Sequence, residues 1–265
     1  FPKIAFSLLY LPPLIFAYTL FSDDKYLIFL SLVFFVIGKY LFNGWADGLI
    51  AIYFCLSAYL MYDLVISKNK NTYKSIINYF IAFCFFITLT LIKNEGLALL
   101  LILFFVTVCN CFLKKKITEK MLVIICLSTS FIPIFLWKYF CYSNGIFNEH
   151  INSGFIINLL SRIEEFGNYI LIFKFLLFNE KFLFCLLFFI FSFWFNRNKE
   201  LFAFVSIILG FYILLIFTIF LATPVDLYFQ LNSSAARIVK TLTFSFGFFA
   251  LYNLNNNNLF KRELI

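Results

Sequence analysis

Residues 201–222 read LFAFVSIILGFYILLIFTIFLA, a run without a single charged side chain. A helix rises about 1.5 Å per residue and the hydrocarbon core of a bilayer is about 30 Å thick, so a run of about 20 apolar residues has the length of a crossing helix. In water such a helix would need burial on every face. The rest of the chain cannot supply a polar exterior for that: of 265 residues 63% are hydrophobic, only 13% are charged, and 43 are Phe. A soluble domain carries about a quarter charged residues. The surface itself must be apolar, so the solvent is expected to be lipid. A transmembrane barrel would show short alternating strands between turns, whereas this chain shows long apolar blocks punctuated by Lys, Asn and Gly.

Further blocks lie at 4–21, 26–41, 48–66, 75–92, 97–113, 121–142, 182–195 and 238–252. The expectation is an all-α, polytopic integral membrane protein with about nine or ten spans, in which 1–265 form a single transmembrane domain. The net charge of +8 sits in clusters between blocks, as cytoplasmic loops require, so no nucleic-acid partner is implied. Lys68, Lys70 and Lys74, then Lys114, Lys115, Lys116 and Lys120, then Arg197 and Lys199, and finally Lys261 and Arg262 all fall on one side only if 155–178 does not cross. That segment can satisfy the condition. Asn158, Ser161, Glu165 and Asn168 share one helical face, and Ile156, Leu159, Leu160, Ile163 and Phe166 fall mainly on the other. This is the pattern of a helix lying along the interface, with a re-entrant course for 169–178 as the alternative.

With that topology, four polar segments share the extracytoplasmic side: 43–47, 93–96, 143–168 and 223–237. No strand followed by a Gly-rich phosphate loop occurs, which argues against nucleotide chemistry. The seven cysteines lie in or beside apolar blocks without a CxxC pair, favouring buried thiols over disulfides or metal ligation. His150 is the only histidine, and one residue makes no metal site. Asp23-Asp24 reads as a solvated turn, and adjacent Glu164 and Glu165 point apart on a helix.

Each remaining polar group has a structural and a functional reading. Asp47 caps the helix it opens or belongs to a polar site. Lys93-Asn94-Glu95-Gly96 is a tight hairpin, yet two opposite charges where apolar blocks meet need water or a partner. Thr223-Pro224-Val225-Asp226 reads as a helix start with Thr as cap, and Asn232 to Ser234 as the start of the last span. Arg237 then falls in the first turn of that span, with Lys240 one turn on. Cations there oppose the helix dipole, so an anion is expected nearby: a phospholipid headgroup, or a bound phosphate.

The order of these elements resembles bacterial membrane glycosyltransferases of the GT-C class, the polyprenyl-phosphate-sugar-dependent enzymes related to the protein mannosyltransferase and aminoarabinose transferase group. Gly44-Trp45-Ala46-Asp47 looks like the Gly-x-Ala-Asp element of that class, and Lys93-Asn94-Glu95-Gly96 is similar to its Lys-x-Glu-Gly hairpin. Thr223-Pro224-Val225-Asp226-Leu227 followed by Ser234-Ala235-Ala236-Arg237 matches a late element of many members, with Phe229-Gln230 standing where Trp-His would be expected. The resemblance implies transfer of a sugar from a polyprenyl-phosphate donor to a glycan, lipid or protein acceptor at the extracytoplasmic face of a bacterial inner membrane. It implies a substrate-binding set of Asp47, Lys93, Glu95, Asp226, Arg237 and Lys240. Arg237, with Lys240 or Lys93, would neutralise the leaving phosphate, while Asp47 and Glu95 would orient these cations or bind sugar hydroxyls. No organic cofactor is implied, and a divalent metal is left open. The general base of the class lies in a loop between its first two spans. This chain starts at Phe1 without such a loop, so the base is expected upstream and the chain is expected to be the C-terminal part of a larger module. A transporter or flippase for lipid-linked sugars, or an O-antigen polymerase or ligase, is the alternative function.

Overall fold

The computed structural model describes residues 7–41, 46–65, 72–113, 120–146 and 155–255. Among them every regular element is helical: α1 Leu11–Leu20, α2 Asp23–Val36, a 3-10 turn Gly38–Leu41, α3 Asp47–Val65, α4 Thr72–Ile92, α5 Asn94–Leu113, α6 Met121–Thr129, α7 Ile132–Ser143, α8 Phe155–Ile163, α9 Phe166–Leu177, α10 Glu180–Phe195, α11 Lys199–Ala222, α12 Leu227–Gln230, a π-helical turn Leu231–Ala235 and α13 Ala236–Asn255. Lys68, Lys70, Lys114, Lys115, Lys116, His150, Lys261 and Arg262, together with Asn43, Gly44 and Trp45, lie outside the described residues.

Four helical stretches are long and apolar enough to cross a membrane: α3, α5, the α6–α7 pair taken as Met121–Ser143, and α11. The bent pair α9–α10 raises the number to five if it counts as one span. That is fewer than the expected nine or ten, because several apolar blocks form shorter helices, α1 with 10 residues and α2 with 14. Pro133 explains the break within 121–143. Its nitrogen carries no proton for the Thr129 carbonyl, and the helix interrupts at Ser130–Phe131 before α7 resumes.

α3 and α13 form the centre. Nearly every residue of α3 is buried, and α13 is buried from Ile238 to Asn253. A helix apolar on all faces fits only where neighbours surround it. α13 packs most extensively on α10 and α3, and α3 also on α4. Around this centre large apolar side chains face outward, among them Ile15, Phe80, Leu122, Phe184 and Leu214. Outward apolar surface on this scale is compatible with a lipid surrounding. In a bilayer, apolar side chains would gain little by leaving lipid for a helix interface, so close van der Waals fit would have to hold such a bundle together. Gly96 illustrates this. A Cβ there would stand 1.8 Å from the Leu89 carbonyl oxygen of α4, so glycine permits the close α4–α5 hairpin. All seven cysteines are free.

The helices alternate direction, and polar contacts tie each end. At one end Lys120 donates to the Leu64 carbonyl, Asn198 to the Tyr62 hydroxyl, Asn196 to the Asn253 carbonyl and Asn255 to the Leu20 carbonyl. At the other end stand Asp47, the Lys93 hairpin and the segment after α11. Residues 155–178 run along that second end. They form two helices rather than one, because the chain breaks at Glu164–Glu165, where the Asn168 amide donates to the Arg162 carbonyl and the Glu165 carboxylate. α9 then meets α10 at 79°, and the Asn179 side chain caps α10 by accepting from the Phe182 amide. The pair reads either as one broken span or as a re-entrant turn, the second being the alternative course that the sequence left for 169–178.

Candidate functional site at the charged end of the bundle

Three expected residues meet at this end. Lys93 lies between α4 and α5, and its Nζ donates to Asp47 Oδ1 at 3.1 Å and pairs with Glu95 Oε1 at 2.9 Å. The side chains are 37%, 6% and 24% exposed for Lys93, Asp47 and Glu95. Burial works to lower the Lys93 pKa, but attraction to Glu95 and Asp47 and the hydrogen bonds to both outweigh it, leaving the ammonium above its ordinary value. Lys93 therefore stays charged throughout the neutral range.

Asp47 is the first residue of α3, where a carboxylate also meets the positive end of the helix dipole. Its burial goes beyond what a cap needs. Asn94 is the first residue of α5, and its Oδ1 accepts from Lys138 Nζ of α7 at 3.0 Å. Lys138 is a cation that the sequence reading passed over. Its signal was present, since it is an ionisable residue inside an apolar block, a placement that calls for a partner.

The triad carries two carboxylates and one ammonium, so its formal charge is −1. The Lys93 ammonium is already committed to both carboxylates, which makes it a poor counterion for a phosphate. Glu95 and Asp47 retain lone pairs suited to accepting from hydroxyl donors.

The segment after α11 differs from expectation. Thr223 does not start a helix: it ends α11, and its hydroxyl donates to the Gln230 side-chain oxygen. The helix starts three residues later, and its cap is Asp226, which accepts from the Phe229 amide at 2.9 Å. Asp226 is exposed and serves locally. Asn232 to Ser234 do not start a new helix either. Gln230, Leu231 and Ala236 keep right-handed helical dihedrals, so α12, the π turn and α13 form one continuous helical path. Arg237 therefore sits well inside a helical stretch rather than in an exposed first turn, and the dipole objection to its charge is removed. The register shift of the π turn is accommodated by Ser233 and Ser234, whose hydroxyls both donate to the Gln230 carbonyl.

Arg237 is half-buried, and Lys240, one turn further into the bundle, is buried. Tyr212 of α11 links this helix to the triad. Its hydroxyl donates to the Ile238 carbonyl at 3.2 Å, and it lies close enough to Glu95 and Asp47 to feel both carboxylates. A second arginine holds the neighbouring loop: Arg162 of α8 donates from Nη1 to the Thr223 carbonyl at 2.9 Å and from Nη2 to the Val225 carbonyl at 3.0 Å. Neither Tyr212 nor Arg162 announced these roles in sequence, because each depends on helices distant along the chain. No group of three or more His, Cys, Asp and Glu side chains that could hold a metal ion occurs among the described residues.

Comparison with protein-family models, with curated proteins and with solved structures finds no match for this chain.

Proposed function

We propose that the chain is a polytopic membrane protein of the GT-C glycosyltransferase type, which handles a polyprenyl-phosphate sugar at the charged end of its bundle and transfers the sugar to an acceptor there. We place that end at the extracytoplasmic face of a bacterial inner membrane, with the shorter helices α1, α2 and α10 completing the bundle within the bilayer. The observation that supports this reading is the Lys93 triad: a half-buried cation clasped between two carboxylates where three apolar helices meet. Such charges are costly in a lipid-facing protein and, inside membrane segments, mark sites of function by default.

On this proposal the work is divided differently from the sequence expectation. Asp47 and Glu95 accept from sugar hydroxyls, and Lys93 holds the two carboxylates in place between the helices. Stabilising the leaving phosphate falls to Arg237, whose planar guanidinium can bind phosphate in two-point fashion, with buried Lys240 adding positive potential behind it.

The test uses the protein in lipid nanodiscs with a polyprenyl-phosphate sugar carrying a photoreactive group. Labelling should be competed by unlabelled donor. Arg237→Lys keeps the charge but loses the fork, and losing a charge-assisted contact costs about 1.5–3 kcal/mol, so donor affinity should fall roughly ten- to a hundredfold. Absence of competable labelling in the wild type would overturn the proposal, and so would equal labelling of wild type, Arg237→Lys and Arg237→Ala.

A further inference from the structure

A groove of about 440 Å³ opens between α9 and the π turn, apart from the Lys93 triad. Its floor is apolar, from Leu171, Phe175 and Leu231, and Phe175 meets the Tyr228 ring edge-on at 6.0 Å between centroids. The polar groups lining it are Lys174, Asn179 and Asn232 and the Tyr228 hydroxyl; none is acidic. The Lys174 ammonium lies 5.8 Å from the centre of the Phe178 ring, so its stem covers apolar surface while its head stays at the groove mouth.

Two features say what this groove faces. One wall is the C-terminal part of α9 with Phe178 and Asn179, at the corner where α9 turns 79° into α10. With the bundle crossing a bilayer and this end at its surface, as proposed above, that corner would sit at headgroup depth, with tails below and phosphates level with Lys174. The other wall is the π turn, a distortion that recurs at functional sites, and three of its five residues (Leu231, Asn232, Ala235) line the groove. A cation with two amides above an aromatic floor is complementary to a phosphodiester bearing net negative charge, and less so to a zwitterionic headgroup whose own cation would meet Lys174.

We propose that this groove is a binding site for an anionic glycerophospholipid, whose phosphate is held by Lys174 with Asn179 and Asn232 and whose acyl chain lies on Phe175 and Leu231. The inference rests on the membrane-spanning reading but not on sugar transfer, so it can fail or stand separately from that function.

The test titrates the purified protein in detergent with phosphatidylglycerol or phosphatidylcholine and counts retained lipids by native mass spectrometry. One lysine near an anionic lipid contributes about 1 kcal/mol, so phosphatidylglycerol should be retained about fivefold more tightly than phosphatidylcholine. Lys174→Gln should abolish the preference and Lys174→Arg should keep it. Lys181→Gln, a cation lining the neighbouring groove instead, should leave it unchanged. Circular dichroism and size-exclusion profiles establish that each variant is folded, and Asn232→Leu, on the exposed side of the π turn, provides a second test of the same groove by weakening the preference. Equal retention of the two lipids by the wild type overturns the proposal, as does a preference that survives both Lys174→Gln and Asn232→Leu. Displacement of phosphatidylglycerol by equimolar polyprenyl phosphate overturns it too, assigning the groove to the sugar donor's lipid.

Discussion

Replacing Lys93 by Met removes the ammonium and keeps an apolar stem of similar length. Asp47, 6% exposed, would then be a buried carboxylate without its counterion, and Glu95, 24% exposed, would lose a contact of 2.9 Å. Removing one partner of a fully buried pair costs about 3–5 kcal/mol, whereas exposed pairs contribute about 0–1 kcal/mol. Lys93 is itself 37% exposed, which allows water to reach the site, so the expected loss lies between those limits, at about 2–3 kcal/mol. Asp47→Asn alone should cost less, about 1 kcal/mol, because the amide oxygen can still accept from Lys93. The double variant should not add: with no buried charge left, it should be more stable than the sum of the two losses by about 1–2 kcal/mol. The measurement is reversible unfolding in mixed micelles followed by near-ultraviolet circular dichroism. A loss below about 0.5 kcal/mol for Lys93→Met, the range of an ordinary surface change, together with simple additivity in the double variant, would refute the claim that the triad is an electrostatic unit.

The remaining expectations concern the same end of the bundle. Because the Lys93 pKa is raised on folding, its contribution is fully present below the unfolded lysine value, roughly 10.4, and disappears as pH rises through the higher folded value. Unfolding free energy measured across the alkaline range should fall there in the wild type, with a smaller fall in Lys93→Met. Gly96→Ala would drive a methyl to 1.8 Å from a backbone oxygen, so α4 and α5 must separate. A loss at or above the roughly 1–3 kcal/mol of overpacking is expected, whereas Gly210→Ala, with open space around it, should be neutral or slightly stabilising; a shared outcome for both variants would contradict the close-approach account. Asp226→Ala should cost about 1 kcal/mol as a lost cap and, if capping is its whole role, leave donor labelling intact; lost labelling in a folded protein would give Asp226 the binding role that the resemblance implied.

The helices were legible because each has a local cause. The blocks at 48–66, 97–113 and 201–222 become α3, α5 and α11 with shifts of a few residues at their ends, since apolar length and flanking polar residues are properties of contiguous sequence. What the sequence misplaced depended on competition between neighbours. At 223–237 two capping residues, Thr223 and Asp226, were three residues apart. Arg162 draws the Thr223 and Val225 carbonyls toward α8, leaving Asp226 to cap, and that guanidinium lies about sixty residues away in the chain. The π turn was equally hidden. Asn232, Ser233 and Ser234 read as a new beginning because such residues favour caps, yet the hydroxyls of Ser233 and Ser234 turn back to the Gln230 carbonyl and carry the helix through.

That continuity changes what Arg237 means. An arginine in an exposed first turn would need an anion to offset the dipole, and that need alone would have argued for a phosphate. Inside a continuous helix the backbone amides around Arg237 are engaged along the path, so the dipole supplies no such demand. What remains is position: a half-buried guanidinium, one turn above a buried lysine, on a helix whose Ile238 carbonyl is held by Tyr212. In the proposed reading, the two cations of α13 and the net negative triad serve opposite ends of one ligand, with Tyr212 between them. The ligand of that proposal carries an anionic group at one end and hydroxyls at the other, as a phosphate-linked sugar does. A bare phosphate would satisfy only the α13 side. The two substitutions therefore ought to separate: Arg237→Lys should weaken binding of polyprenyl phosphate and its sugar alike, whereas Glu95→Gln should weaken only the sugar-bearing form.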